Sequence, residues 1–202
     1  MTDKLKNQLA FLYEADKMKN IFRQTLVGNG SRQENDAEHS WHMALTAMTL
    51  YNYAEPGVDL FRVLKMCLVH DLVEVYAGDT PAIDNEAVKS KELREKAAAD
   101  KLFAMLPTEQ GAEYRSLWQE FDAEETKDAK FAAACDRFQS AMLIYKCNGH
   151  TWHQGNWTTA DVVKRQYPVK AAMPEVWEFI ENALDDLVKR GILEEGRKSK
   201  IQ

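Results

Sequence analysis

His39, the adjacent pair His70-Asp71, and Asp136 are the side chains of this 202-residue chain best suited to hold a metal ion. An imidazole beside a carboxylate offers one nitrogen and one oxygen to the same cation from neighbouring backbone positions. A second histidine and a distant aspartate then close the set. Mixed nitrogen and oxygen ligation suits a borderline or hard divalent ion, and four protein ligands leave positions for water. An ion held in this way can activate water and polarise a phosphoryl oxygen. The surrounding strings are AEHSWHMA at His39, HDLVEVYAGD from His70 to Asp79, and AKFAAACDR ending just after Asp136.

Each residue also has a plainer reading. His39 lies one helical turn before Met43 and two before Ala47, where a lone histidine is commonly a satisfied core residue. His70 and Asp71 end the apolar run Val63, Leu64, Cys67 and Leu68, and burying an aspartate there is costly without a cation or several donors. Asp136 aligns at helical spacing with Ala129, Ala132, Ala133 and Ser140. That stripe of small residues allows close helix approach, and its alternative is a salt-bridged edge position. Glu74 follows His70 by four residues, one turn along the same face. A carboxylate there can take a proton from an attacking water and return it to a leaving oxygen, or simply pair with a lysine. Asp79, after Gly78 in a loop, can orient water or a sugar hydroxyl, or cap a turn.

Taken in order from about Arg23 to Tyr145, these elements resemble the HD-domain metal-dependent phosphohydrolases, in their 5′-deoxynucleotidase-like branch. The resemblance implies an all-α HD-domain helical bundle. It also implies one divalent metal ion (Mn, Co, Mg, Zn, Ni or Fe) on His39, His70, Asp71 and Asp136, with Glu74 and Asp79 as catalytic residues. In similar proteins an arginine before the first motif histidine meets the substrate phosphate. Arg23 is the better positional match and Arg32, just before the QEND segment, is the second candidate. Guanidinium geometry suits two-pronged phosphate recognition. His42 does not match a core ligand of the family pattern.

The implied reaction is hydrolysis of a deoxynucleoside 5′-monophosphate to nucleoside and phosphate. Another HD-type phosphodiesterase or a nucleotide pyrophosphohydrolase is the enzymatic alternative. The sequence HDLVEVYAGD lacks the Glu-Asp that follows HD in alarmone hydrolases, and no GYP element of the cyclic-dinucleotide branch is present. A non-catalytic metal- or nucleotide-binding module is the other alternative, and the four ligands together with Glu74 argue against it. Similar proteins are often homodimers.

Composition sets the outer bounds. With 45% hydrophobic and 29% charged residues, the chain suits one domain over residues 1–202, with a motif core of about 23–146 and a helical extension over about 147–202. A net charge of −6 argues against a broad nucleic-acid surface, yet leaves room for a small phosphorylated substrate beside a dication and one or two arginines. No apolar run is long enough to span a membrane and the N-terminus has no signal core, so a cytoplasmic protein is expected. Cys67, Cys135 and Cys147 form no CxxC pair and read as buried, reduced thiols.

Helical periodicity dominates the elements that must position the site. Leu5, Leu9, Leu12 and Ala15 mark a first helix continuing towards Ile21, followed by the polar loop VGNGSRQEND. Asp36 is placed to cap the next helix. Trp41, Ala44, Leu45, Met48 and Tyr51 on one stripe, with Met43, Ala47 and Leu50 on another, suggest that this helix lies in the middle of the bundle. Further helices are expected over Asp59–Tyr76, Ala87–Leu106, Thr108–Phe121 (capped by Thr108) and Thr126–Lys146. Ala77–Asn85 reads as a loop, as does the aromatic segment GHTWHQGNWTT. Pro174 opens the last long helix and Gly191 stops it.

Overall fold

The computed structural model describes the backbone of residues 1–78 and 85–196, with side chains for 1–78 and 90–196. It is a helical bundle with one small two-stranded sheet. The helices are α1 (Asp3–Ala15), α2 (Asp36–Thr49), α3 (Leu60–Val69), α4 (Glu74–Ala77), α5 (Asn85–Phe103), α6 (Thr108–Ala123) and α7 (Lys127–Lys146), then α8 (His150–Gln154), α9 (Thr159–Arg165), α10 (Tyr167–Ala172) and α11 (Pro174–Lys189). The strands are β1 (Phe22–Leu26) and β2 (Gln33–Asn35), antiparallel, with Phe22 opposite Asn35 and Leu26 opposite Gln33.

The axis of the bundle is α7. The Thr126 hydroxyl caps it by accepting from the Ala129 N–H, and Ala129, Ala132, Ala133 and Ala134 are wholly buried. Small residues let α2, α3, α6 and α10 pack directly against this helix. The C-terminal helices join the same core, through Val162, Val169, Met173, Trp177, Ile180 and Leu184. Gly191, at φ +69°, follows the end of α11 as the expected stop.

Six local expectations are corrected, one of them the aromatic segment GHTWHQGNWTT, expected as a loop, in which His150–Gln154 form α8. The first helix ends at Ala15; a 3₁₀ turn carries the chain to Asn20, and part of the expected polar loop is the β1–β2 hairpin. The run Phe22-Arg23-Gln24-Thr25-Leu26 alternates in exposure, and Asn29-Gly30 is a turn dipeptide. Second, α2 is capped by Asn35 rather than Asp36. Asn35 Oδ1 accepts from the Glu38 N–H at 2.9 Å and Glu38 returns a bond to the Asn35 N–H at 3.2 Å. This reciprocal box stabilises the helix start by about 1 kcal/mol.

Third, α2 is not buried all round. Met43 and Ala47 face the core, whereas Trp41 is 65% exposed and Leu45, Met48 and Tyr51 are also exposed. Fourth, the helix expected over Asp59–Tyr76 breaks after Val69. Residues 70–73 form tight turns in which Glu74 N–H donates to Asp71 C=O at 2.9 Å and Leu72 N–H to Val69 C=O at 3.2 Å. In such turns residues three apart eclipse, which sets how the HD pair and Glu74 face one another. Thr108 opens α6 as its first helical residue, after Pro107, and makes no side-chain cap.

Candidate metal centre

Two elements converge on α7. His39 projects from the first turns of α2, His70 and Asp71 from the break after α3, and Asp136 from the middle of α7. His39, His70 and Asp136 each offer a ligand atom within 4.8 Å of the others, and all three are buried. His39 Nε2 lies 3.0 Å from Asp136 Oδ1 and 3.8 Å from Asp71 Oδ2, and His70 Nε2 lies 3.0 Å from Asp71 Oδ2. The Phe121 ring, centroid 4.7 Å from that of His70, walls one side.

The hydrogen bonds at the far side of each ring show why a cation fits. His39 Nδ1 meets Gln139 Oε1 at 2.8 Å, and His70 Nδ1 meets the Cys67 carbonyl at 3.0 Å. Both partners accept, so each Nδ1 carries a proton, and each ring turns its Nε2, a lone pair whenever the ring is neutral, towards a carboxylate oxygen. Both Nε2 atoms are buried without a hydrogen-bond partner. Lone pairs facing carboxylate oxygens at these distances repel unless a proton or a cation lies between them. A divalent ion relieves both clashes at once, and the two-nitrogen, two-oxygen donor set is one such ions accept.

Electrostatics point the same way. Burial pulls the His39 pKa down, aided by the Arg23 charge, against the pull of Asp136 and Asp71, so this ring is held neutral. Burial also acts on His70, but the charge of Asp71, 3.0 Å from its Nε2, more than reverses it and raises the pKa. Burial opposes ionisation of Asp71 and Asp136, yet both are held below the ordinary carboxylate range: Asp71 by His70 and Arg23, Asp136 by Arg137 and His39.

Arg23 reaches in from β1. Its Nη1 donates to Asp71 Oδ2 at 2.8 Å and to Asp36 Oδ1 at 3.5 Å, and its Nη2 is 3.9 Å from Asp136 Oδ1. The strand that carries it is braced by the Thr151 hydroxyl on α8, which donates to the Gln24 carbonyl. Glu74, buried at the start of α4, groups its carboxylate with those of Asp36 and Asp71, all within 4.8 Å. The eclipsed turn thus sets Glu74 beside Asp71, where a regular helix would have set it beside His70. Arg32 stands apart: it is half exposed and grips Glu38 with both Nη atoms, at 2.8 and 2.6 Å. Asp79 and most of the loop after Gly78 lie outside the described residues. Gly78 itself has φ +74°, the left-handed region that favours glycine.

Sequence reading passed over several neighbours. Asp36, taken there for a helix cap, is wholly buried beside Arg23. Arg137, next to Asp136, touches its carboxylate and also reaches Glu124 at 3.4 Å. Arg165 on α9 keeps contact with solvent, but surrounding protein first, and the Arg137 and Arg23 charges next, push its pKa down to about 10. Gln139 and Glu34 form a buried pair behind His39, with Gln139 Nε2 donating to Glu34 Oε1 at 2.8 Å. A glutamine inside the apolar run of α7, three residues from Asp136, was a signal available in the sequence. Cys67 and Cys135 are buried free thiols, as expected, whereas Cys147 is free but half-buried; burial pushes Cys67 up to about 12, far from a reactive thiolate.

Glu34 yields a pH prediction. Burial raises its pKa from 4.5 to about 7. A raised carboxyl stabilises the fold fully below its unfolded pKa, and that contribution is lost as pH rises through the folded value. Glu34→Gln keeps the shape and removes the titration. The metal-free variant is expected to match wild type near pH 4.5 and to exceed it by roughly 2–4 kcal/mol at pH 8. Urea unfolding at the two pH values measures the gap; an equal gap at both would contradict the burial argument.

A family model for the HD domain matches residues 15–177, and the chain belongs to the HD-domain family. It is 44% identical to a crystallised protein from Magnetospirillum magnetotacticum called a predicted metal-dependent phosphohydrolase, with a TM-score of 0.90 over 95% of this chain and 96% of that one. It is also 32% identical to the 5′-deoxynucleotidase HDDC2 of Xenopus laevis over 61% of this chain and 57% of that protein. With the human HDDC2 it shares 29% identity over 67% of this chain and 65% of that protein. The chain thus spans less than two thirds of the length of these two curated relatives.

Proposed function

We propose that this chain is a metal-dependent phosphomonoesterase that hydrolyses deoxynucleoside 5′-monophosphates to nucleoside and phosphate. One observation carries the reading: two buried imidazole lone pairs and two carboxylates face a common point, with the Arg23 guanidinium beside it. The similarity to proteins named 5′-deoxynucleotidase supplies the substrate class.

In this reading His39, His70, Asp71 and Asp136 hold one divalent ion. Mn, Co, Mg, Zn, Ni and Fe all suit the donors. When bound, the ion supplies positive charge to a phosphoryl oxygen and makes a nearby water more acidic. Glu74, close to Asp71, accepts the proton of the attacking water and returns it to the departing 5′ oxygen. Arg23 turns from Asp71 to the phosphate and pairs with the oxygens left free. Arg137 and Arg165 add positive charge on the same side. Asp79 keeps a role in orienting water or a sugar hydroxyl through its place in the chain alone. Arg32 is assigned to Glu38 and the α2 cap rather than to substrate.

The assembly in this reading is a homodimer, supported by the outward apolar stripe Trp41, Leu45, Met48 and Tyr51; sedimentation of the purified chain tests it. Its compartment is the cytoplasm, supported by three free thiols. Among the described residues no helix is long and apolar enough to cross a membrane. The partner is a small nucleotide and not a nucleic acid, in keeping with the net charge of −6.

The function is tested by phosphate release from deoxy- and ribonucleoside mono-, di- and triphosphates, with each divalent ion in turn. Release confined to monophosphates, with the deoxy sugar preferred, is expected. Turnover of triphosphates or of phosphodiesters in preference to monophosphates would overturn the assignment.

A further inference from the structure

Behind His39 lies a hydrogen-bond chain that the reaction above leaves unused. Gln139, on α7 three residues after Asp136, is wholly buried and its amide is fully engaged. Its Oε1 accepts from His39 Nδ1 at 2.8 Å and from Ser140 Oγ at 3.4 Å. Its Nε2 donates to Glu34 Oε1 at 2.8 Å and to His42 Nδ1 at 3.0 Å. Glu34 sits on β2 and both histidines on α2, so three elements meet at one amide.

We propose that Gln139, oriented by Glu34, is a positioning residue that locks His39 in its Nδ1–H tautomer and so keeps the Nε2 lone pair turned to the metal. The inference rests on the metal reading of the preceding section and adds residues that no ligand motif contains. A primary amide turned by half a rotation has almost the same shape, so its partners decide which way it points. Glu34 Oε1 and His42 Nδ1 both call for a donor, which places the NH₂ towards them and the carbonyl towards His39.

The reversed amide would have the opposite effect on the metal site. Its NH₂ would face His39 Nδ1, which would then accept, moving the ring proton to Nε2. Asp136 Oδ1, 3.0 Å from that nitrogen, would take the bond. One proton would then occupy both the imidazole lone pair and the carboxylate oxygen that the ion needs. The metal-free centre therefore has two hydrogen-bond patterns within reach, and Glu34 with Gln139 selects the one that admits a cation. The same geometry explains His42: it serves as an acceptor for the amide and takes no part in ligation. Groups that orient a ligating imidazole change metal affinity by about 10–100-fold when removed.

The test is made on metal-stripped, ¹⁵N-histidine-labelled full-length chain at alkaline pH, where His39 is neutral. Its signal is assigned by its loss in His39→Asn, and long-range ¹H–¹⁵N correlations report which nitrogen carries the proton. Wild type should show Nδ1–H. Gln139→Leu should show Nε2–H and bind Mn²⁺ about 10–100-fold more weakly in chelator competition. The exchange Glu34→Gln with Gln139→Glu, which keeps an acceptor towards His39 and a donor–acceptor pair behind it, should retain Nδ1–H and most of the affinity. Glu34→Gln frees the amide to turn and should give a mixture of tautomers with weaker Mn²⁺ binding, although the fold itself becomes more stable above pH 7. A purely structural role for Glu34 would move stability and affinity together. Nδ1–H retained in Gln139→Leu, or Nε2–H in wild type, overturns the proposal. If Gln139→Leu does not fold, an unaltered tautomer in Glu34→Gln overturns it instead. A wild-type chain that binds no divalent ion contradicts the metal reading, while the tautomer measurement still decides the role of Gln139.

Discussion

Glu74→Ala should bind as much metal as wild type yet turn over about 10²–10⁴-fold more slowly, whereas Asp71→Ala should lose both metal and activity. The two carboxylates are neighbours within 4.8 Å, so a general disturbance of the centre would affect both variants alike. Their surroundings separate them. Asp71 Oδ2 faces the Nε2 atoms of both histidines and accepts from Arg23, and the pull of His70 and Arg23 keeps it ionised. Removing it takes away a ligand oxygen and leaves the buried Arg23 charge with less compensation. Glu74 starts a separate helical turn and lies on the Asp36 and Asp71 side, away from the imidazole lone pairs. Metal content by elemental analysis and kcat on a deoxynucleoside monophosphate check both expectations. Near-wild-type turnover in Glu74→Ala would remove that residue from the mechanism.

Arg23→Ala should raise KM strongly without weakening metal binding. Loss of a charged hydrogen-bonded contact to a buried partner costs on the order of 2–5 kcal/mol, roughly 30-fold to several thousand-fold in kcat/KM. The metal should be held at least as firmly, because the guanidinium that Arg23 places against Asp71, Asp36 and Asp136 competes with a cation for those oxygens. Arg23→Lys should recover part of the loss, since it restores the charge without the fork. Arg32→Ala removes an exposed pairing with Glu38 and is expected to change both stability and KM hardly at all. A large KM defect at Arg32 with little at Arg23 would reverse the assignment.

The histidines and aspartates that the structure brings together were legible mainly through the resemblance to the HD-domain pattern; His39 by itself reads as a core histidine, and Asp71 and Asp136 stand out as carboxylates in apolar or small-residue surroundings. Asp136 inside AKFAAACDR is the clearest case, and the alanines around it are the contacts that make α7 the bundle axis. The helices over Thr126–Lys146 and Pro174–Lys189 were legible because a cap or a proline marks the start; burial is periodic along α11, whereas α7 is buried nearly all round. The hairpin was not legible as such, because β1 and β2 are five and three residues long, and the polar runs Arg23-Gln24-Thr25 and Gln33-Glu34-Asn35 show no alternation of apolar and polar residues. The break at residues 70–73 was hidden by an apolar pattern that continues through it from Leu68 to Val75. What marks the break is hydrogen bonding between residues three apart, and the pattern carries no trace of that.

The outward stripe of α2 was misread on similar grounds. Trp41, Leu45 and Met48 have the spacing of a core face, and spacing does not tell which of two apolar stripes meets α7. Asp36 was given the role of a cap because it precedes the helix; Asn35 holds that role, and Asp36 turns inward to Arg23. Glu34 and Gln139 lie 105 positions apart in sequence, so their pairing becomes visible once β2 is laid against α7.

In the reading proposed above, His39, His70, Asp71 and Asp136 share one cation. Crystals soaked in Mn²⁺ and measured for anomalous scattering test it most directly. An anomalous peak is expected between the four side chains, with His39 Nε2, His70 Nε2 and one oxygen each of Asp71 and Asp136 at about 2.0–2.3 Å from it. A peak bound elsewhere, or one from which any of the four stands beyond direct or water-bridged reach, would contradict it.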